Sequence, residues 1–198
     1  IELFPGIAVD LPGFGKSKSL ENSLSPFEYA TYLNDIIPPE INTFVGHSFG
    51  GRVAVHLSFL REINNLVLIG VPLLRITPKK RYVNKLTLFK NLNKFGLVSS
   101  ATVESIKNKT GSFDYRNSEG VMRETLVKAV NDDLEDKLPN IKSNVKLVWG
   151  ENDMDVPVSI AEKSQKLISN SELTIIPNQG HNMLRSNPIS VFEVLKSL

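Results

Sequence analysis

The 198-residue chain has no cysteine. That excludes disulfide bonds, thiolate metal sites and a cysteine nucleophile. No apolar run reaches the ~18–20 residues a helix needs to cross a bilayer, and no secretory leader pattern is visible. Neither sign of charge dominates: 23 Lys and Arg stand against 21 Asp and Glu. Bulk electrostatics therefore argue neither for nor against a nucleic-acid partner. Internal repeats and low-complexity tracts are absent as well. Histidine is scarce, at three, which leaves few candidates for a general base. What remains is the composition of an ordinary globular protein, 41% hydrophobic and 22% charged, long enough for one full-sized core. The expected location is the cytoplasm.

One stretch stands out. Asn42-Thr-Phe-Val-Gly-His-Ser-Phe-Gly-Gly51 places Gly46-His47-Ser48-Phe49-Gly50 between a short apolar strand (43–45) and a helical pattern (52–60). This is G-x-S-x-G at a strand-to-helix turn, where the serine sits in strained φ/ψ with its hydroxyl projecting from the sheet. Strand and helix nearly touch there, so the neighbouring positions must lack bulk; Gly46, Gly50 and Gly51 are expected to meet that need. The Phe49 N–H, at the N-terminus of the new helix, would point at a developing oxyanion. A bland reading exists, a glycine-rich turn with an incidental serine. The strand before and the helix after favour the functional one.

A serine nucleophile needs a base, and the base needs an orienting acid. His47 precedes Ser48, so its side chain diverges from Oγ and reads as a packing residue. His56 lies two turns into the following helix and points away from the turn. His181, in Asn178-Gln-Gly-His-Asn182, follows an apolar strand (173–176) and lies at the same sheet edge as the serine. By elimination His181 is the base. The acid is expected from a strand end between them. Residues 145–149 open into Gly150-Glu-Asn-Asp-Met-Asp-Val-Pro157, where Glu151, Asp153 and Asp155 compete. Asp153 is preferred and Asp155 is the fallback; all three also suit a helix N-terminus.

Strand and helix patterns alternate along the chain. Residues 7–10, 43–45, 66–71, 145–149 and 173–176 read as strands, and 26–37, 52–60, 157–168 and 188–198 as helices. Ser25 reads as an N-cap and Pro38-Pro39 as a stop. Continuous apolar strands separated by helices predict an α/β fold with a mostly parallel sheet covered on both faces. About seventy residues between the strands ending at Val71 and starting at Val145 exceed an ordinary connection. They read as a helical cap, with helices at 81–93, 100–107 and 121–130. The expected organisation is a first core part (1–72), a cap or lid (73–143) and a second core part (144–198). Residues 75–109 hold nine Lys/Arg and one acid, Glu104, which suits first a solvated helical face, and otherwise an anionic substrate or a membrane surface.

These residues together resemble the α/β-hydrolase superfamily, and its small capped bacterial serine hydrolases in particular. Asp10-Leu-Pro-Gly-Phe-Gly-Lys-Ser17 looks like the family's D-x-P-G-x-G-x-S turn. Gly46-His-Ser-Phe-Gly-Gly51 looks like its nucleophile elbow, Trp149-Gly-Glu-Asn-Asp153 with Pro157 like its acid loop, and Gly180-His181 like its histidine loop. The order Ser48, Asp153, His181 is the family order. Two decoys fail: a P-loop would need glycine at Asp10, and a dinucleotide fingerprint would need it at Lys18. No nucleotide, nucleic-acid partner, metal or organic cofactor is therefore expected.

The resemblance implies a carboxylesterase-like enzyme with a catalytic triad of Ser48, Asp153 and His181 and an oxyanion donor at Phe49. It acts on a small-molecule acyl substrate in a pocket walled by Phe14, Phe49, Val71 and Met183. Carbon–carbon, thioester and amide hydrolysis and acyl transfer share this triad, and a non-catalytic ligand-binding protein of the same fold remains a different class. The family's first three strands and the H-G-type loop that supplies its second oxyanion donor have no counterpart ahead of Ile7. The expectation is a piece of a longer reading frame, weakly active or inactive by itself.

Overall fold

A computed structural model describes residues 6–75, 89, 92–94, 97–99, 101–102 and 118–196. Helix α1 (Pro26–Ile36) starts on a capping box. The Ser25 N–H donates to Glu28 Oε2 at 2.6 Å, while Glu28 N–H donates to Ser25 Oγ at 3.3 Å. Pro26 occupies the first turn, where its missing N–H costs nothing. The helix buries Tyr29, Ala30 and Leu33, an i, i+1, i+4 stripe, and ends before Pro38.

Strand β1 (Thr43–His47) runs directly into α2 (Ser48–Leu57). Then follow β2 (Asn65–Ile69), α3 (Gly120–Asn131), a 3-10 turn (Leu138–Asn140), β3 (Asn144–Gly150), α4 (Val158–Leu167), β4 (Ser171–Ile176), α5 (Met183–Ser186) and α6 (Pro188–Leu195). The four strands form one parallel sheet in the order β1-β2-β3-β4. Because all four point the same way, His47, Ile69, Gly150 and Ile176 end at one edge, where open α/β sheets present ligands.

Alternate residues along each strand feed different cores. Leu66, Leu68, Val145, Leu147 and Trp149 face α1, α2 and α4 in the larger cluster, with Tyr29, Val53, Leu57, Ile160 and Ala161. Val67, Ile69 and Val148 face the other way and pack with Ile176, Met183 and Val191 of α6. Cover on both faces holds at the central strands. It thins at the margins, where Val45 is 45% and Ile175 40% exposed; Val45 pairs with Val67 on the α6 face, and Ile175 with Trp149 on the opposite one.

Residues 7–10 are not a strand. They are exposed, with Ile7 at 73%, and pair with no strand among the described residues. An apolar run becomes a strand only where a neighbour accepts its backbone hydrogen bonds. The helix expected at 52–60 begins four residues earlier, at Ser48, and stops at Leu57. The last expected helix, 188–198, is α6 over Pro188–Leu195; the short α5 precedes it as a separate helix, and between them the Asn187 side chain accepts from Ser190 N. Of the cap helices, α3 matches the third. The first two fall largely outside the described residues.

Candidate active site

Ser48 is the first residue of α2 and has φ +49°. A left-handed backbone at a non-glycine residue is strained by about 1–3 kcal/mol and persists only when its surroundings force it. Here they do, because strand and helix meet within two residues. A Cβ on Gly46 would lie 2.5 Å from the Gly51 Cα, so no side chain fits at that crossing. Gly50 differs: a Cβ there would meet nothing within 4 Å. Its expected steric role is therefore corrected; the close approach falls on Gly46 and Gly51. No side chain caps the N-terminus of α2 at His47, where a helix leaves its first N–H groups, Phe49 among them, without an intrahelical partner.

The loops after β3 and β4 are laced together. Asn152 N–H donates to Gln179 O at 2.8 Å, and Glu151 N–H to Ile176 O at 3.0 Å. The Glu151 carboxylate accepts from Asn178 N at 3.0 Å, where Asn178 turns the chain at φ +57°. Trp149, the only tryptophan, is fully buried and donates its indole N–H to Val156 O at 2.8 Å. Those bonds hold the acid loop between a rigid strand end and the histidine loop.

The three candidate carboxylates differ in their contacts. Glu151 holds the Asn178 turn, and Asp155 is exposed. Asp153 is 4% exposed, and its Oδ1 accepts from the N–H groups of Asp155 at 3.0 Å and Val156 at 2.7 Å. Its Oδ2 lies 2.8 Å from His181 Nδ1. On the other side of the imidazole, His181 Nε2 lies 3.1 Å from Ser48 Oγ. Ser48, His181 and Asp153 thus form one hydrogen-bonded chain across residues far apart in sequence. Asp153, paired at Oδ2, requires the Nδ1–H tautomer, which leaves Nε2 able to accept the serine proton.

Two residues beside this chain escaped the sequence reading. Gly70, just past β2, has φ +54°, and a Cβ there would sit 3.2 Å from both Asp153 Oδ2 and His181 Nδ1. The acid–base pair leans on that bare backbone. A glycine ending a buried strand is its only sequence signal. His47, expected to pack, instead brings its Nε2 to 2.9 Å from the His181 carbonyl.

The expected pocket residues divide. Phe14 and Phe49 are partly buried and touch, ring centroids 5.6 Å apart, and Tyr29 meets Phe49 edge-on at 5.2 Å. Val71 and Met183 are fully buried, in opposite cores. Neither presents surface to a ligand. The turn that bears Phe14 is closed on itself: Lys16 N–H donates to Asp10 Oδ2 at 2.9 Å, and Ser17 Oγ to Asp10 O at 2.6 Å. The Tyr29 hydroxyl ties it to α1 through Pro12 O at 2.8 Å. Burial pushes that phenol up to about 12, against a lowering contribution from Thr125, so it stays a donor at any ordinary pH.

His56 takes no part at the cleft. It is buried, with Nε2 2.8 Å from Asp132 Oδ2. Among the described residues, one cluster offers metal-ligand chemistry: Asp153, Asp155 and His181, with ligand atoms within 4.8 Å of one another. Two of those residues are already bonded to each other, and Asp153 Oδ1 accepts two backbone N–H groups, so the donor set is engaged as a proton-handling chain. No described helix is long and apolar enough to cross a membrane.

A parallel sheet, a strained serine at a strand-to-helix elbow and an acid–histidine pair on later strand ends define a hydrolase of the α/β class. A family model for the alpha/beta hydrolase family matches residues 2–194, and the chain belongs to that family. It is 27% identical over 199 aligned positions to an Escherichia coli 2-hydroxy-6-oxononadienedioate/2-hydroxy-6-oxononatrienedioate hydrolase, an alignment covering 88% of this chain and 69% of the relative. Among solved structures it is similar to an esterase from Exiguobacterium antarcticum, with TM-score 0.70, 21% identity and coverage of 95% and 78%. A meta-cleavage product hydrolase from Pseudomonas fluorescens aligns with TM-score 0.63, 17% identity and coverage of 94% and 76%.

Proposed function

We propose that the protein is a serine hydrolase that cleaves an ester or related acyl bond of a small molecule through an acyl-enzyme. One observation supports this most: the chain Ser48 Oγ, His181 Nε2, His181 Nδ1, Asp153 Oδ2, at 3.1 and 2.8 Å. Ser48 Oγ attacks the carbonyl carbon and passes its proton to His181 Nε2. The imidazolium is stabilised by the buried Asp153 carboxylate. The oxyanion is met by the Phe49 N–H at the positive end of α2. His181 then returns the proton to the leaving alcohol, and water repeats the cycle on the acyl-serine. Side chains and water suffice for every step. The acyl pocket lies beside Phe14 and Phe49.

Carbon–carbon hydrolysis is the second reading, favoured by the reaction named for the Escherichia coli relative. The two are separated by substrate. With a p-nitrophenyl ester, the first reading predicts a burst of nitrophenol that approaches one equivalent and disappears in Ser48→Ala. Turnover of a 2-hydroxy-6-oxodienoate at a kcat/KM well above that of any ester would move the assignment to the second reading. Equal rates in the protein and Ser48→Ala on both substrates would overturn both.

A further inference from the structure

We propose that His47 is a positioning residue that holds the general base through its backbone; this rests on the triad reading above. The His47 Nε2 lies 2.9 Å from the carbonyl oxygen of His181, 134 positions away. A carbonyl only accepts, so Nε2 carries the hydrogen and donates it, whether the ring is neutral or charged. The two imidazoles also lie against each other, with centroids 4.8 Å apart and planes at 42°.

The elbow makes this possible. The backbone passes from extended at His47 (φ −103°, ψ 135°) to left-handed at Ser48 (φ +49°) in one step. Consecutive side chains therefore leave in different directions, and both return to residue 181. Ser48 meets its imidazole and His47 meets its backbone. Asp153 supplies a third attachment at Nδ1. Ser48 and Asp153 constrain rotation of the ring. Neither fixes the peptide that bears it, and His47 does. A histidine loop that drifts by an ångström would lengthen the 3.1 Å contact beyond proton transfer, and a misplacement of that size typically lowers turnover by about 10²-fold.

The test compares the protein with His47→Phe, His47→Gln and Ser48→Ala on a small p-nitrophenyl ester, reading kcat and KM separately. His47→Phe keeps a ring for packing and removes the donor. His47→Gln places an amide N–H the same number of bonds from the backbone as the lost Nε2–H. The expected result is kcat reduced at least about tenfold in His47→Phe, with KM within about twofold, and most of that loss restored in His47→Gln. Wild-type kcat in His47→Phe would overturn the proposal. So would equal kcat losses in both variants that track their melting temperatures, which is the signature of packing alone. A wild-type protein no faster than Ser48→Ala would instead remove the triad reading on which the proposal stands.

Discussion

Gly70 is where the acid–base pair is most exposed to a single change. Alanine there would set a methyl group 3.2 Å from both Asp153 Oδ2 and His181 Nδ1, tighter than ordinary packing, at a φ of +54°. The left-handed backbone costs a Cβ-bearing residue about 1–2 kcal/mol. The larger effect falls on chemistry, because the methyl can be accommodated only by moving one member of the pair. Gly70→Ala is expected to lower kcat by about 10–100-fold while lowering stability by no more than about 2 kcal/mol. Steady-state kinetics beside a denaturation curve checks both. Unchanged kcat would mean that the pair relaxes freely and that the close approach has no catalytic consequence. At this scale much was legible in the chain. Gly46-His-Ser-Phe-Gly50 marked the strand-to-helix turn, and elimination among three histidines pointed to His181 as the proposed base. Among Glu151, Asp153 and Asp155, position in the loop alone favoured Asp153 with Asp155 as fallback; which carboxylate turns inward depends on the folded loop. The His47 contact was hidden for the same reason, its partner being 134 residues away.

Helix α2 does two jobs along its length. Its first turn presents Ser48 and Phe49, and its next turns bury Arg52 and His56 against the segment that follows α3. Arg52 Nη1 donates to the Asp132 carbonyl and lies 3.8 Å from Asp132 Oδ2; His56 Nε2 lies 2.8 Å from the same oxygen. Burial holds the Arg52 guanidinium below its ordinary pKa, against raising contributions from Asp132 and Asp133. For Asp132, burial raises the carboxyl, but the His56 hydrogen bond and the charges of His56, Arg52 and Lys137 outweigh it and hold the group below its ordinary value. A carboxyl depressed in the folded state contributes stability above its unfolded pKa, about 3.9, and loses it as pH falls through the folded value. Asp132→Asn should therefore destabilise the protein by roughly 3 kcal/mol at pH 7, by taking from the buried Arg52 its ion-paired carboxylate. The gap to wild type should close below about pH 4. Urea denaturation at several pH values measures it; a gap that stays constant with pH would show that the carboxylate's charge is irrelevant there. Elements were readable where periodicity and caps agreed, as in α1 with its Ser25–Glu28 box. Residues 7–10 have the apolar content of a strand, but strand formation belongs to the pair, and no sequence window contains the partner.

Across the whole molecule, the parallel sheet brings together what the chain separates. Four strand ends at one edge gather Ser48, Gly70, Asp153 and His181, and the crossovers that make the strands parallel put the larger core behind them. The α/β class was legible from the alternation of apolar runs and helices. The uneven cover of the sheet was not, since it shows only in the exposure of Val45 and Ile175 on the outer strands of the folded sheet. Trp149 joins the two levels: it fills the larger core and ties down the acid loop through Val156, so core packing and site geometry share a residue. The central claim is that this architecture makes Ser48 a nucleophile. It is tested most directly by treating the folded protein with a fluorophosphonate and mapping the adduct by mass spectrometry, beside Ser48→Ala. The account predicts one phosphonyl group, on Ser48, absent from the variant. A folded protein that takes no label at Ser48, or takes as much in Ser48→Ala, would contradict it.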